Sequence, residues 1–528
     1  MFRRHAVLPL IIITGVVLAV FFTAPKSEDF WWTDSASFAL NGELIRDYVV
    51  SGFHQSPMAF AQEFFRRYPA ITISLYPPIF PAAEAAAFGL FGFSHFVAQA
   101  TVAAFTFLAA AGTYRMLRTT LSPLDAAAGV LMLFAVPGVL LWSRQVMMEL
   151  PSLAFLLMAC GFFLDYEAAR RQRDLYLAVL LVLAAIYTKQ TAIFAVPAFA
   201  ISLVVSEGWR GLRGRDIRIA AAAGVAGLVP LAAFTLAAAP QVLDIALARG
   251  IGAHSADAGR TAGHLAQALA YGLALPEVIG WPVLIAAICY LVTIPVRGWR
   301  TAPERRLAVL MLAWFGCGYA FISLTGHFET RYAMVLGVPC AMVAILLIAQ
   351  PLGRWAGAWA ASGVAAILFA VSVTTLGVNR MTGYDRVAAY ILDHSKQDDV
   401  IWFQGQESKN LVFSLRSHSS KPKVFVLRAE KLLVDYRIVR ESGITDRGWS
   451  TEKLRDLVEQ SGISMVVLQP GFWADMPSMS RMQDYIGSGH FRQVAEFPID
   501  ADEPSQRTTI RIFVKQDPAP AAGNASPQ

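Results

Sequence analysis

The sequence predicts a polytopic α-helical membrane protein with a soluble α/β domain near its C-terminal end. Of the 528 residues, 56% are hydrophobic and only 16% are charged, whereas soluble globular proteins are about 25% charged. Long apolar runs recur through residues 6–378, and several approach the roughly 20 residues with which a helix spans a bilayer. A transmembrane β-barrel would instead show alternating segments of about ten residues.

The basic residues give the predicted helices an orientation. Most arginines lie in short clusters between apolar runs, which is typical of cytoplasmic loops. The net charge of +6 therefore indicates membrane orientation rather than nucleic-acid binding. The layout that fits has about eleven transmembrane helices. They are predicted at residues 6–24, 94–116, 123–142, 150–168, 174–189, 190–206, 218–238, 276–296, 305–325, 332–350 and 355–377.

Two further segments complete this layout. The first apolar run could be a cleaved signal peptide, but its length favours a retained helix. Residues 77–92 begin with proline, contain a glutamate and are short for a span, so we expect a juxtamembrane or re-entrant segment. The extracytoplasmic side then holds residues 25–93, 143–149, 188–191, 239–275, 326–331 and everything after 378.

The chain is predicted to divide into a transmembrane domain at 1–378, a periplasmic α/β domain at 379–516 and a disordered Pro/Ala-rich tail at 517–528. Amphipathic stretches at 384–394 and 451–461 alternate with strand-like runs, which predicts a small, largely parallel sheet. The strand-like runs lie at residues 399–405, 410–416, 423–428, 464–470 and 508–515. All four cysteines lie inside apolar runs, which argues against a disulfide framework or a cysteine metal site.

Charged residues from distant loops converge on the outer surface in this layout. They are Asp34, Glu43, Arg46, Arg144, Glu149, Lys189, His327, Glu329 and Arg331. Lysines, arginines and histidines can hold an anionic head group, and an acid beside them can activate a nucleophile. We therefore expect Asp34, Glu149, Lys189 and Arg331 to line one extracytoplasmic pocket beside an apolar groove for a lipid tail.

Structural explanations compete with this interpretation. A lone basic residue at a helix end is commonly a snorkelling anchor. Asp34 could be a helix N-cap, and Glu149 precedes Leu150-Pro151, where an acid complements the helix dipole. Glu43 and Arg46, three residues apart on one helix, could pair with each other.

Five motifs occur in a characteristic order. They are "WWTDSASFALNGE" around Asp34, "YPPIFPAAEAAAFGLFGFS", "SRQVMMELPSLAF" around Glu149, "YTKQTAIFAVP" around Lys189 and "TRYAMVLGVP" around Arg331. The ordered set resembles the GT-C fold of lipid-linked-sugar glycosyltransferases. It is most similar to the bacterial branch of the protein O-mannosyltransferase-like family, which includes the lipid A aminoarabinose transferases. The chain departs from many relatives at Tyr76, where some have Lys, and at Glu149, where many have Asp.

The resemblance implies a multi-pass enzyme of the bacterial inner membrane that works on its periplasmic face. Its donor is a polyprenyl-phosphate sugar, and its acceptor is a hydroxyl of lipid A or core, of another glycan or of a protein. Asp34 is the expected general base. Arg331 and Lys189, helped by His327, are expected to stabilise the departing phosphate. Glu149 orients a sugar, or binds a divalent cation if the reaction uses one.

Several other residues are predicted to contact the substrates, and membrane lipids are expected to surround the helices. These residues are Glu43, Arg46, Tyr76, Arg144, Glu329 and Tyr332, with His254 and Arg260 from the long outer loop at 239–275, since loops of that size are often functional. The other histidines are too scattered to predict a metal site.

The alternative function is a transporter or flippase of lipid-linked saccharides, which predicts charges near helix centres and related sequence halves. The clustering of charge at one face favours an enzyme. A third interpretation, in which the helices only anchor the soluble domain, requires far fewer helices.

Overall fold

The computed structural model describes residues 4–72, 75–238, 263–325, 328–349, 356–418, 423–436 and 443–516. The chain forms two compact units. The first unit comprises Met1–Lys26, Thr72–Gly92 and Phe96–Val378, and the second comprises Ser27–Ile71, Phe93–His95 and Asn379–Gln528. The segment that carries Asp34, Glu43 and Arg46 therefore belongs to the second unit.

The first unit is built of apolar helices. They run over Arg4–Thr23, Ile79–Phe91, His95–Arg118, Pro123–Ala135, Pro137–Ser143, Glu149–Ala169, Gln172–Ile186, Ala195–Glu207, Arg215–Ala238, His264–Ile279, Trp281–Arg297, Ala302–Leu324, Met334–Ala349 and Ala356–Thr375. Short 3-10 turns at Gln190–Phe194 and Thr330–Ala333 lead into two of them, and a third lies at Gly211–Arg213. A polytopic helical architecture is therefore confirmed.

Seven helices of the described residues are long and apolar enough to cross a membrane, and bent pairs raise the number to nine. The span count differs from the predicted number of about eleven, because this measure of length and composition leaves out the shorter helices. The apolar part of the first helix, Val7–Thr23, is shorter than the seven, and Gln172–Ile186 has only 15 residues. The stretch predicted not to cross contains the 13-residue helix Ile79–Phe91.

Two predicted spans are broken. The helix expected at 123–142 bends by 79° between Pro123–Ala135 and Pro137–Ser143. Val136 is extended there, as expected for a residue that precedes proline. The second break, of 112°, separates His264–Ile279 from Trp281–Arg297, and Gly280 occupies it with a φ of 83°, a conformation that glycine tolerates best.

The second unit contains a six-stranded sheet. Its strands are β1 Met381–Thr382, β2 Val400–Gln404, β3 Phe425–Arg428, β6 Ile463–Leu468, β7 Phe491–Ala501 and β8 Thr508–Lys515, in the order β1-β7-β8-β6-β2-β3. A separate antiparallel pair joins β4 Val434–Tyr436 to β5 Ile444–Asp446. Helices lie at Thr33–Val50, Pro57–Arg67, Tyr384–Asp393, Ser408–Ser417, Ala429–Leu433, Thr451–Gln460 and Pro477–Tyr485, with a π turn at Ile486–His490 and a 3-10 turn at Pro504–Gln506.

The predicted soluble α/β architecture is confirmed, with two corrections. The sheet is mixed, because β2 pairs in parallel with β3 and β6 while β8 pairs antiparallel with β6 and β7. Residues 410–416, predicted as a strand, belong to the helix Ser408–Ser417. Short apolar runs do not distinguish strands from buried helices, and Leu411, Val412 and Leu415 are all buried.

Candidate active site

Glu149 opens the apolar helix Glu149–Ala169, with Pro151 in its first turn. Proline fits this position because the first helical amides lack partners in the helix, and an acid there interacts favourably with the helix dipole. The carboxylate side chain is only 5% exposed. Its Oε2 atom is buried and has no hydrogen-bond partner within the described part of the chain.

Lys189 provides the closest cation to this carboxylate. It lies in the turn between Gln172–Ile186 and the 3-10 turn Gln190–Phe194, where its amide donates to the Ala185 carbonyl at 2.8 Å. The Ser152 hydroxyl donates to the same carbonyl at 3.0 Å and so ties the helix of Glu149 to this turn. As a result, Lys189 Nζ lies 2.5 Å from Glu149 Oε1.

Arg331 approaches the same carboxylate from a third element. It lies in the 3-10 turn Thr330–Ala333, and its Nε is 3.6 Å from Glu149 Oε1. Arg331 also forms an ion pair with Glu329. The Glu329 amide in turn donates to the Tyr271 hydroxyl at 3.2 Å, which fixes this turn to the helix His264–Ile279.

Tyr332 places its ring beside both cations. Lys189 Nζ lies 5.0 Å and the Arg331 guanidinium 5.2 Å from its ring centroid. Such distances allow cation–π attraction between the ring and both cations. The sequence motif Arg331-Tyr332 thus supplies a cation and an aromatic surface to one cluster. We call Glu149, Lys189, Glu329, Arg331 and Tyr332 the charged cluster.

The three main charges of this cluster share one feature. Glu149 begins the candidate span Glu149–Ala169, Lys189 directly precedes the span Gln190–Glu207, and Arg331 is the second residue of the span Thr330–Ala349. Helix N-terminal ends carry partial positive charge and free amides, and they attract anions. Two cations at such ends can bind a phosphate group, with Glu149 and Glu329 as their counter-ions in the absence of a ligand.

Tyr76 and Arg144 are two other predicted site residues of the first unit, and other contacts fix their surroundings. Tyr76 follows Leu75, whose carbonyl accepts a hydrogen bond from the Gln190 side chain at 3.2 Å. The backbone at Tyr76 is therefore tied to the turn next to Lys189. Arg144 is buried, and its guanidinium donates to the carbonyls of Leu376 and Val373 at 2.8 and 3.2 Å. These contacts give Arg144 a structural role at the end of the helix Ala356–Thr375.

In the second unit, Asp34 lies in the first turn of the helix Thr33–Val50. The N-cap of this helix is Trp32, so the interpretation of Asp34 as a capping residue is wrong. Asp34 Oδ1 instead lies 2.9 Å from Lys409 Nζ, and both side chains are about one-quarter exposed or less. The ion pair leaves the carboxylate partly open to solvent.

Glu43 and Arg46 pair with each other, as the structural interpretation expects, at 3.0 Å. Arg416, from another helix of the same unit, is a closer partner of Glu43. It lies 2.6 Å from Glu43 and 2.7 Å from Asp47. The Glu43 side chain is fully buried. Burial raises the pKa of Glu43 to about 7 in spite of the Arg416 charge that opposes this effect.

Three predicted site residues, His327, His254 and Arg260, lie outside the described residues. Among the residues that the structure does describe, no group of three or more His, Cys, Asp or Glu side chains is placed to hold a metal ion. A role of Glu149 as a metal ligand therefore gains no support from its described neighbours.

Sequence reasoning missed the partners Lys409, Arg416 and Tyr271. The sequence around each of these residues contains no motif that marks a functional side chain, and Lys409 is 375 residues away from Asp34 in the chain. Without a second sequence to compare, no local signal identifies such a partner.

Comparisons with known proteins agree on the fold. Residues 76–234 match the family model "Dolichyl-phosphate-mannose-protein mannosyltransferase". No curated protein sequence matches the chain. The structure is similar to that of ArnT from Cupriavidus metallidurans in the apo state, with a TM-score of 0.64 and 14% identity over 95% of this chain and 97% of that chain.

Two ligand-bound structures are also similar. ArnT from Cupriavidus metallidurans bound to undecaprenyl phosphate has a TM-score of 0.63 and 14% identity, over 95% of this chain and 97% of that chain. The oligosaccharyltransferase AglB from Archaeoglobus fulgidus, in complex with an inhibitory peptide and a dolichol-phosphate, has a TM-score of 0.53 and 12% identity, over 95% of this chain and 75% of that chain. The GT-C fold that the sequence predicts is therefore confirmed.

Proposed function

We propose that this chain is a membrane glycosyltransferase that moves a sugar from a polyprenyl-phosphate-linked donor to a hydroxyl acceptor. The observation that carries the proposal is the charged cluster, in which Glu149, Lys189 and Arg331 meet at the N-terminal ends of three apolar helices. Two proteins of this fold, ArnT and AglB, have been solved with undecaprenyl phosphate and a dolichol-phosphate. Both ligands combine a long apolar chain with a phosphate, which the cations of the charged cluster would bind.

Lys189 and Arg331 bind the phosphate of the donor. An incoming phosphate competes with Glu149 for Lys189, because the ammonium lies 2.5 Å from that carboxylate. As the glycosidic bond breaks, negative charge builds on the departing lipid phosphate, and fixed cations stabilise this transition state. His327 and Tyr76 are proposed to assist at the phosphate, and Glu149 to orient a sugar.

Asp34 is the proposed general base. The acceptor oxygen forms a bond to the anomeric carbon while the bond from that carbon to the phosphate oxygen breaks. The bonding electrons leave with the polyprenyl phosphate, and the hydroxyl proton passes to the Asp34 carboxylate. A single displacement of this kind inverts the anomeric centre. We place the reaction on the periplasmic face of the bacterial inner membrane, with lipid A or core, another glycan or a protein as acceptor.

A transporter or flippase of lipid-linked saccharides is the alternative function. It too would need a cationic site and an apolar groove. Charged groups in a transport path lie within the membrane-spanning part of helices, whereas Glu149, Lys189 and Arg331 lie at helix ends. This placement supports the enzyme.

The variant Asp34→Asn separates the two functions. The purified protein in nanodiscs is incubated with undecaprenyl-phosphate-linked mannose, galacturonic acid or aminoarabinose and with envelope extract of a deletion strain, and mass spectrometry detects transfer. We expect Asp34→Asn to bind undecaprenyl phosphate as the wild type does but to lose transfer by about 100-fold or more. The exposed Asp500 provides the matched control Asp500→Asn, which should stay active. Unchanged product formation by Asp34→Asn would contradict the proposal.

The sugar and the acceptor are identified in cells. Mass spectrometry of glycolipids and glycans from a deletion strain should reveal one missing sugar together with accumulated lipid-linked sugar. Accumulation of the donor indicates a missing transfer step rather than missing donor synthesis. If no glycolipid or glycan changes, the proposed function fails.

A further inference from the structure

Two charged residues at the start of one helix lie next to Asp34. Glu407 directly precedes the helix Ser408–Ser417, and Lys409 is its second residue. Lys409 Nζ donates to Asp34 Oδ1 at 2.9 Å. Both helices belong to the second unit, so this pair is internal to that unit.

Glu407 is the buried member of this group, with 5% exposure. It accepts a hydrogen bond from the hydroxyl of Thr33, the residue before Asp34, and it interacts electrostatically with Lys409, Asp34 and Asp29. Burial raises the pKa of Glu407 to about 7. Asp34 and Glu407 are therefore neighbouring carboxyl groups, one partly open to solvent and one enclosed.

Neighbouring carboxyl groups do not both ionise readily, because each negative charge disfavours the other. A cation next to one carboxyl of such a pair favours the loss of the proton from that carboxyl. Lys409 contacts Asp34 directly, while Glu407 pays the greater desolvation cost of its burial. Both effects favour the negative charge on Asp34 and the proton on Glu407.

We propose that Lys409 is a positioning residue that holds Asp34 in place and keeps it the ionised member of the Asp34–Glu407 pair. The inference rests on the proposed function, because only an ionised Asp34 can accept the proton of the acceptor hydroxyl. It assigns part of the catalytic machinery to the helix Ser408–Ser417, within the segment that also carries the sheet. A protonated Glu407 contributes a neutral hydrogen-bonding group to this arrangement.

The test uses five variants of the full-length protein in nanodiscs, in the same transfer assay. We expect Lys409→Gln to lower kcat by about 10- to 100-fold with little change in the KM of the donor. Lys409→Arg should retain most of the activity because the charge remains. Glu407→Gln should lose less activity than Lys409→Gln, since glutamine mimics the protonated acid. The exposed Lys396 supplies the matched control Lys396→Gln.

The double variant Glu407→Gln/Lys409→Gln gives the distinguishing result. Removal of the competing carboxyl should restore about tenfold of the lost kcat, which is the effect of one unit of proton affinity. The acid limb of the pH–rate profile should move to higher pH in Lys409→Gln and return towards the wild type in the double variant. Asp29 and Lys431, which interact with Glu407 and Lys409, stay unchanged throughout the series.

Other outcomes overturn the inference. If Lys409→Gln equals the wild type, the ion pair has no catalytic role. If Lys409→Gln and the double variant are equally inactive at every pH and Lys409→Arg does not rescue activity, Lys409 only stabilises the fold, and a lower melting temperature would accompany that result. A wild type that transfers none of the sugars contradicts the proposed function itself, so the two failures are distinct.

Discussion

Lys189 Nζ and Glu149 Oε1 lie 2.5 Å apart in an ion pair that is almost entirely shielded from solvent. A desolvated pair of this kind is costly to form, and removal of one partner leaves an uncompensated charge. Arg331 lies 3.6 Å from the same oxygen, so a single carboxylate oxygen serves two cations. A bound phosphate can replace this carboxylate, because it offers several acceptor oxygens and a full negative charge.

Glu149→Gln should strengthen phosphate binding and weaken transfer. The substitution keeps the shape of the side chain but removes the charge that competes with a lipid phosphate for Lys189. We expect the affinity for undecaprenyl phosphate to rise by about tenfold, equivalent to about 1.4 kcal/mol, while sugar transfer falls. Binding is measured by microscale thermophoresis in nanodiscs. A loss of affinity in Glu149→Gln would instead indicate that Glu149 organises the site.

Arg331→Met should weaken the binding of undecaprenyl phosphate by about 10- to 100-fold, since charge-assisted hydrogen bonds contribute about 1.5–3 kcal/mol. Arg331→Lys should recover only part of this loss, because lysine lacks the planar fork that contacts two oxygens. The exposed Arg218 gives the matched control Arg218→Met, which should bind as the wild type does. Equal affinities for Arg331→Met and the wild type would remove Arg331 from the phosphate site.

The helical membrane part could be predicted because its physical signal is strong. Long apolar runs and arginine clusters are required by the bilayer, and each predicted span corresponds to a helix or a broken helix among the described residues. The charges of Glu149, Lys189 and Arg331 stood out for the same reason, since a charge beside an apolar run must find a partner. The structure brings these three side chains into contact.

The soluble part was harder to predict. Residues 410–416 form a helix whose apolar face is buried, which a short apolar run does not reveal. Lys409 and Arg416 lie on this helix and contact Asp34 and Glu43. These ion pairs join segments more than 300 residues apart, and only the folded chain brings them together.

The pH dependence of stability should be smaller in Asp29→Asn. Burial raises the pKa of Asp29 from 3.8 to about 7, so the folded state holds a proton that the unfolded state has lost between about pH 4 and 7. Its contribution to stability is therefore complete below about pH 4 and disappears as the pH rises through 7. Asparagine keeps an acceptor for the Tyr384 amide, which donates to Asp29 at 2.8 Å.

The measurement compares melting temperatures of Asp29→Asn and the wild type at about pH 5 and pH 8. The variant should gain relative to the wild type between these two pH values by at most about 3 kcal/mol, because about two of the three pKa units of the shift lie between pH 5 and pH 7. Asp500→Asn, at an exposed position, should follow the wild type at both values. A parallel pH dependence of Asp29→Asn and the wild type would show that Asp29 titrates alike in the folded and unfolded chains.

Arg416→Met should destabilise the second unit strongly, because the fully buried Glu43 loses its nearest cation, 2.6 Å away. Loss of one partner of a buried ion pair costs about 3–5 kcal/mol. Arg46, at 3.0 Å, offsets part of this cost. Since the Arg416 charge lowers the pKa of Glu43, its removal favours the protonated acid. The loss should therefore be smaller at about pH 6 than at about pH 9.

The double variant Glu43→Leu/Arg416→Met tests whether the pair or the fold around it is responsible. With both charges absent, neither member of this ion pair is left without its partner, and the stability should recover most of the loss of Arg416→Met. Thermal unfolding of the purified protein is followed at both pH values, with Arg492→Met at an exposed site as the control. Additive losses in the double variant would mean that Arg416 stabilises the unit through packing on its neighbours rather than through the charge of Glu43.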